Sequence, residues 1–326
     1  MARAETSGRT FQGIGLVAVS MTLSACTQQS VLHPASREAG ELSALTWFMF
    51  AAAVVIWGIV MGAAIYAVVG KLRPKSERFA DRFIIVGGVA FPTVSLAILL
   101  VFGLSLLPSW SEADTPDLRI HVVGEQFWWR FGYELPDGSI LETANELHLP
   151  VGATVEFVLT STDVIHSFWI PALNGKMDTI PGRTNLLRMT PTKPGIYRGA
   201  CAEFCGRGHA LMSLVAEVHD PGAYQQWISA QLLPASPVGG DAFVSAGCGG
   251  CHVVRGVTEA GAVGPDLTHF ASRRTFGAAT KSITADNLSA WLAAPEHVKP
   301  GARMPSFGAL PEADRDAIVA YLLTLR

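Results

Sequence analysis

Residues Tyr197–Met212 read YRGACAEFCGRGHALM, which sets Cys201, Cys205, His209 and Met212 at the spacing Cys-x-x-x-Cys-x-x-x-His-x-x-Met. A disulfide would use only the two cysteines, and in an oxidising compartment it is the simplest use of them. Zinc sites rarely take a thioether. Thiolate, imidazole and thioether together suit copper. A mononuclear blue-copper site takes one Cys, two His and a weak axial Met, so this loop holds one cysteine too many and one histidine too few. Two thiolates on one loop can instead bridge two copper ions, each of which then needs its own imidazole. The second must come from elsewhere. His166 in TDVIHSFWIPAL lies at a strand edge among apolar residues, His148 lies in a strand that reads as exposed, and His121 follows a membrane segment closely.

Outward from the loop the chain reads as β structure. From Asp117 to about Asp220, the runs RIHVV, QFWWRFGYEL, ELHLPV, TVEFVLTS, HSFWI, NLLRMT, GIYRGAC and LMSLVAEV alternate with turns such as PDGS, LPVGA and TKPG. Short β-branched and aromatic runs between Pro/Gly/Asp turns predict a sandwich. PGAYQQWISAQL predicts a closing helix, and PASPVGG a linker. After Gly240 the pattern turns helical in GDAFVSAGCGGCH, TADNLSAWLAAP and LPEADRDAIVAYLLTLR, with starts near Thr284 and Pro311.

Cys248-Gly249-Gly250-Cys251-His252 is the Cys-x-x-Cys-His pattern of covalent c-type haem attachment. The two thiols hold the haem edge and the adjoining imidazole reaches the iron. A Met/His pair raises the reduction potential, as an electron carrier requires. Met304 in KPGARMPSFG is the one methionine after His252; His269 and His297 are the other candidates for the sixth position. A module this small fits a core completed by a prosthetic group.

The chain is 49% hydrophobic with a mean hydropathy of +0.32, and the excess is local. Residues 43–70 and 83–111 carry no charged side chain. The segments Leu42–Val69 and Phe83–Leu107 each exceed the ~20 residues that a membrane-spanning helix needs, and Pro92 is tolerable within the second. The loop between them is rich in Lys and Arg, which predicts a cytoplasmic loop with both flanks outside. Arg3 and Arg9 before a short apolar run, then Leu23-Ser24-Ala25-Cys26, predict a cleaved signal, and the cysteine resembles a lipobox acylated at Cys26. Charge is uneven: residues 111–238 hold 8 Lys/Arg against 14 Asp/Glu, and residues 239–326 hold 8 of each. The acidic middle would attract a basic partner. A nucleic-acid footprint is excluded, since no basic stripe exists.

HSFWIP, CAEFCGRGHALM and the two apolar N-terminal segments resemble subunit II of the haem-copper cytochrome c oxidases, and residues from about 239 onward resemble class I cytochrome c. Together they resemble the caa-type variant, in which a cytochrome is fused to the acceptor. The resemblance implies two transmembrane helices, a cupredoxin-like β-sandwich and an all-α cytochrome c domain. With the signal and apolar segments read above, the chain divides into a lipoprotein-type signal peptide at 1–25, a membrane segment at 26–110 with helices at about 42–69 and 83–107, a copper domain at 111–230, a linker at 231–240 and a cytochrome domain at 241–326. The resemblance also implies a binuclear CuA centre held by His166, Cys201, Cys205, His209, Met212 and the Glu203 carbonyl, with the Glu203 carboxylate at a magnesium site shared with subunit I. A haem c would be ligated by His252 and Met304, with Gly264–Leu267 running beside it. Electrons would be received around Phe127, Trp128 and Trp129, although the family commonly has Trp where this chain has Phe127. A Glu common at the position of Ile85, at a proton-channel mouth, is missing. The implied partners are oxidase subunit I and further subunits, a donor such as a cytochrome c or a quinol–cytochrome c reductase, and lipid. The implied place is the bacterial cytoplasmic membrane, with the soluble domains on the periplasmic side. A nitric oxide reductase subunit would share every copper ligand, and a stand-alone membrane-anchored electron shuttle would share both centres.

Overall fold

The computed structural model describes residues 29–70, 76–111 and 115–326; the leader and Cys26 lie outside the described residues. Helix α1 spans Arg37–Val69, beginning before the expected Leu42. The early start rests on a cap and on bonds to the β domain. Ser36 caps the helix, its Oγ accepting from Ala39 N at 3.0 Å while its hydroxyl donates to the Leu173 carbonyl. Glu38 in the first turn accepts from Thr190 N at 2.8 Å, and Ala35 accepts from Thr192 N at 2.7 Å. The first turn of the helix is therefore bonded into the β domain, so the residues preceding the apolar stretch are ordered by tertiary contacts.

The second apolar segment is Glu77–Ile85 (α2), a π-helical stretch Val86–Ala90, and Phe91–Ser111 (α3). Phe91 N–H donates to the Val86 carbonyl, one residue further back than in an α-helix. Pro92 explains the widening: it lacks an N–H and its ring crowds the carbonyl four residues earlier, and a wider turn relieves both. Mean hydropathy reaches 2.4 in the first helix and 2.5 in the second. Side chains such as Phe48, Trp57, Ile59 and Phe83 are exposed, as lipid contact requires.

Ten strands form two five-stranded sheets. The first orders β3 (Ile140–Ala144), β2 (Trp128–Glu134), β1 (Leu118–Glu125), β5 (Val155–Ser161) and β8 (Asn185–Met189). The second orders β4 (Glu146–Pro150), β10 (Ser213–His219), β9 (Gly195–Cys201), β6 (His166–Trp169) and β7 (Met177–Thr179). Alternation decides the faces: Ile120 and Val122 of β1, and Leu147 and Leu149 of β4, are fully buried. Trp129, Phe131, Tyr133, Phe157 and Phe168 fill the space between the sheets. His148 corrects the sequence reading, being 7% exposed. Its strand does turn it away from the core, but helix α4 (Pro221–Gln231) covers that face, with the Trp227 ring 4.1 Å from the His148 ring, centroid to centroid.

The C-terminal module packs α5 (Asp241–Ser245), α6 (Ala285–Ala293), α7 (Pro295–Val298) and α8 (Glu312–Leu322) around Phe243, Leu288, Leu292, Ile318 and Leu322. Thr284 caps α6, accepting from Asn287 N, and Pro311 stands immediately before α8. The helix expected through GDAFVSAGCGGCH ends at Ser245, because Gly247 takes φ +77° and a 3-10 turn carries Cys248–Gly250.

Candidate metal centres and their contact

Strand β6 delivers His166, and β9 ends at Cys201, where Cys201 N–H donates to the Met212 carbonyl at 2.9 Å and closes the neck of the loop. Within it the Cys201 and Cys205 sulfurs are 3.8 Å apart, too far for a disulfide. His166 Nδ1 lies 3.9 Å from Cys201 Sγ, His209 Nδ1 lies 3.6 Å from Cys205 Sγ, and Met212 Sδ lies 3.8 Å from Cys205 Sγ. The Glu203 carbonyl is 3.2 Å from Cys201 Sγ. His166 is fully buried and the Cys201, Cys205 and Met212 side chains nearly so. The Glu203 residue itself is exposed beside Phe204.

The electrostatics of the loop call for cations. The hydrogen bond shared with Cys205 is the largest influence on Cys201, and with His166 and two backbone groups it draws that thiol well below the usual thiol range against the effect of burial. The resulting thiolate and burial push Cys205 far up. One thiolate forms readily, and a second beside it requires positive charge. The His166 ring has Nε2 2.9 Å from Asp163 Oδ1. With its N–H directed there, Nδ1 faces Cys201 as a lone pair, the arrangement that orients a metal-bound imidazole. Two thiolates, two imidazoles, a thioether and a carbonyl in a buried pocket fit a copper pair.

In the C-terminal module a cavity of about 350 Å³ is lined by Cys248, Cys251, His252, Leu267, Trp291 and Met304 among others, within the range of cofactor sites. His252 Nδ1 lies 2.8 Å from the Pro265 carbonyl, so its N–H points there and Nε2 is left as the lone pair. Burial lowers the His252 pKa and favours the neutral, ligating form. Gly264 is required here, because a Cβ on it would come within 2.5 Å of the His252 ring. The Met304 sulfur accepts from Trp291 Nε1 at 3.0 Å. His269 is turned to the linker, where its Nε2 bonds the Leu233 carbonyl at 2.9 Å. Neither His269 nor His297 lines the cavity. A thiol pair at the rim, a neutral imidazole and a thioether around an apolar space fit a covalently held haem.

The aromatic run divides among three surroundings. Trp129 is fully buried in the sandwich, its ring 6.0 Å from that of His166. Trp128 faces the haem cavity and carries the Arg130 guanidinium over its ring at 4.8 Å. Phe127 is 7% exposed and wedged between the copper loop and the methionine loop, with Gly208 on one side and Gly301 on the other. Around it the modules are bonded. Lys299 Nζ donates to the Phe127 carbonyl at 2.6 Å and to the Gly277 carbonyl at 3.0 Å. Arg303, next to Met304, donates to Gln126 Oε1 at 2.9 Å and to Asp163 Oδ2 at 3.2 Å. Sequence reading missed Gln126, Asp163, Lys299 and Arg303. Their one visible sign was a pair of basic residues just ahead of Met304.

Residues 132–219 match the family model "Cytochrome C oxidase subunit II, periplasmic domain", and residues 238–326 match "Cytochrome c". A cytochrome c oxidase subunit 2 of Alkalihalophilus pseudofirmus is 32% identical over 289 residues, covering 82% of this chain and 82% of the relative. Another, of Bacillus subtilis, is 28% identical over 347 residues, covering 95% and 96%. The periplasmic domain of subunit II of the Bradyrhizobium japonicum oxidase matches with 30% identity and a TM-score of 0.35, over 37% of this chain and 96% of that one. Copper and haem are the groups that the two matched domains imply. The chain belongs to the cytochrome c oxidase subunit 2 family, as a haem-copper oxidase subunit that carries a cytochrome c domain of its own.

Proposed function

We propose that the chain is the electron-input subunit of a terminal oxidase, with electrons passing from its cytochrome module to its copper loop at the Phe127 contact. From there they go to subunit I, where oxygen is reduced and protons are pumped. Bound haem and a binuclear copper centre would supply the one-electron carriers. The rest is the work of this chain's residues. Cys248 and Cys251 anchor the haem, and His252 and Met304 ligate it. His166, Cys201, Cys205, His209, Met212 and the Glu203 carbonyl hold the copper pair. The Glu203 carboxylate, exposed beside Phe204, is available for magnesium at the contact with subunit I. Asp163 orients His166, and Pro265 orients His252.

The strongest support is the bonded contact between the two sites: Arg303 beside Met304 reaches Asp163, and the same carboxylate meets His166. The division at 1–25, 26–110, 111–230, 231–240 and 241–326 belongs to this proposal. So do cleavage and acylation at Cys26, placement in the bacterial inner membrane with both soluble modules outside, and a cytochrome c or a quinol–cytochrome c reductase as donor. The test is metal analysis and EPR of the detergent-solubilised complex. Two copper ions per chain, with a mixed-valence signal, are expected beside one covalent haem. One copper, or none with Cys201 and Cys205 oxidised after copper loading, would refute the assignment.

A further inference from the structure

Among the described residues, two groups of three side chains bring metal-ligating atoms within 4.8 Å of one another: His166, Cys201 and Cys205 of the copper loop, and His148, Glu217 and His219. We propose that the second group is a further metal site, for a divalent ion of the zinc class, on the outer face of the sandwich where the cytochrome module touches it. Strands β4 and β10 run parallel with His148 opposite Glu217, and His219, two residues on, shares that face. His148 Nδ1 lies 2.7 Å from His219 Nε2, the rings nearly parallel at 8°. The other nitrogen of His148 lies 3.2 Å from Glu146 Oε1. With the N–H directed to that carboxylate, Nδ1 is a lone pair aimed at His219, the carboxylate–histidine arrangement found behind metal-bound imidazoles. His148 is also fixed in place, 7% exposed and stacked on Trp227. Two imidazoles and a carboxylate, with a fourth position open, suit zinc better than a hard cation.

The site has a competitor. Arg274 of the cytochrome module donates to both oxygens of Glu217 at 2.7 and 3.0 Å, and its backbone N–H donates to Glu146 Oε2 at 2.8 Å. Guanidinium and metal ion would share Glu217 and repel each other. Metal binding and this part of the domain contact are therefore opposed, and by linkage each weakens the other. A plain hydrogen bond between two neutral imidazoles would show no such opposition.

The experiment uses the full-length chain, loaded with copper and haem, in metal-free buffer, with Co2+ as the spectroscopic probe and Zn2+ as the displacing ion. One Co2+ per chain with a visible ligand-field band is expected, and Zn2+ should bleach it. His219→Gln should weaken binding at least about tenfold, while Arg274→Gln should tighten it; the copper and haem spectra should stay unchanged in both. Glu217→Gln, which spares both imidazoles, should weaken binding as well. No Co2+ band, or equal affinity in the parent, His219→Gln and Glu217→Gln chains, would overturn the site. An Arg274→Gln chain that binds no tighter would overturn the opposition between ion and domain contact.

Discussion

Two buried sulfurs 3.8 Å apart set what single substitutions at the copper loop should do. Cys201→Ser removes the thiol drawn lowest and should abolish the mixed-valence EPR signal. Met212→Leu should retain both copper ions and shift the potential, because an axial thioether tunes more than it binds. Retention of the binuclear signal in Cys201→Ser would reject a bridging thiolate. At the haem, Met304→His should keep the covalent attachment, remove the weak far-red ferric band of thioether ligation and lower the potential. His297→Ala should leave the spectrum alone, since His297 does not line the cavity. The reverse pattern would assign the ligand to His297. That these side chains gather around two sites could be read from residue type and spacing, because soft-metal and haem chemistry restricts both. His148 could not. Its strand alternates as read, with Leu147 and Leu149 inward, but whether an outward face is wet depends on what later covers it, and α4 follows about seventy residues on.

At the scale of elements, the segment Lys299–Met304 does two jobs, presenting a sulfur to one cavity and bonding a neighbouring module. Lys299 is 3% exposed, and among the described residues its hydrogen-bond partners are two carbonyls rather than a carboxylate. Burial draws its ammonium down from 10.5 to about 7. When the modules separate, the group regains water and its pKa returns upward, so the docked form binds fewer protons. Raising the pH from about 7 towards 10.5 therefore favours docking, lowering it back across that window opposes docking, and below about 7, where both forms are protonated, the effect levels off. A neutral amine still has two N–H groups for the two carbonyls. The rate of haem-to-copper transfer after rapid haem reduction should rise between about pH 7 and 9. Lys299→Met should flatten that rise and slow transfer throughout, since two carbonyls lose a donor at about 1–3 kcal/mol each. An unchanged pH profile in Lys299→Met would show that this lysine does not govern docking. The helices show the same limit of sequence reading. Length and apolarity located both membrane segments, yet the start at Arg37 rests on Ser36 and Glu38 meeting β-domain groups about 135 to 155 residues away, and local pattern carries no trace of that.

For the molecule as a whole, the linker is a strap more than a tether. Its carbonyls at Gln231, Leu233 and Ser236 accept from Arg255, His269 and Tyr321, and Ala235 N–H donates back to Arg255. A loose linker would already hold donor near acceptor at about millimolar effective concentration; a strapped one also fixes orientation. The ion pairs across the contact, Arg207–Glu296, Arg303–Asp163 and Arg274–Glu217, each have a half-exposed or more exposed partner, and such pairs contribute about 0–1 kcal/mol. The covered Phe127, the uncharged acceptors of Lys299 and the strap do not depend on salt. Raising ionic strength from about 0.01 to 1 M shortens the screening length roughly tenfold, yet the internal transfer rate should change by less than about threefold. Docking of a separate, basic cytochrome c should weaken steeply over the same range. That outside donor finds Phe127 buried under the chain's own cytochrome module, while Cys251 at the haem rim is exposed. Stopped-flow mixing with reduced cytochrome c should therefore show haem reduction first, at a rate proportional to donor concentration and sensitive to salt. Copper reduction should follow at a rate independent of both. If copper were reduced first, at a rate that scales with the donor, the cytochrome module would not be covering the copper domain in solution, and its place in the electron path would have to be given up.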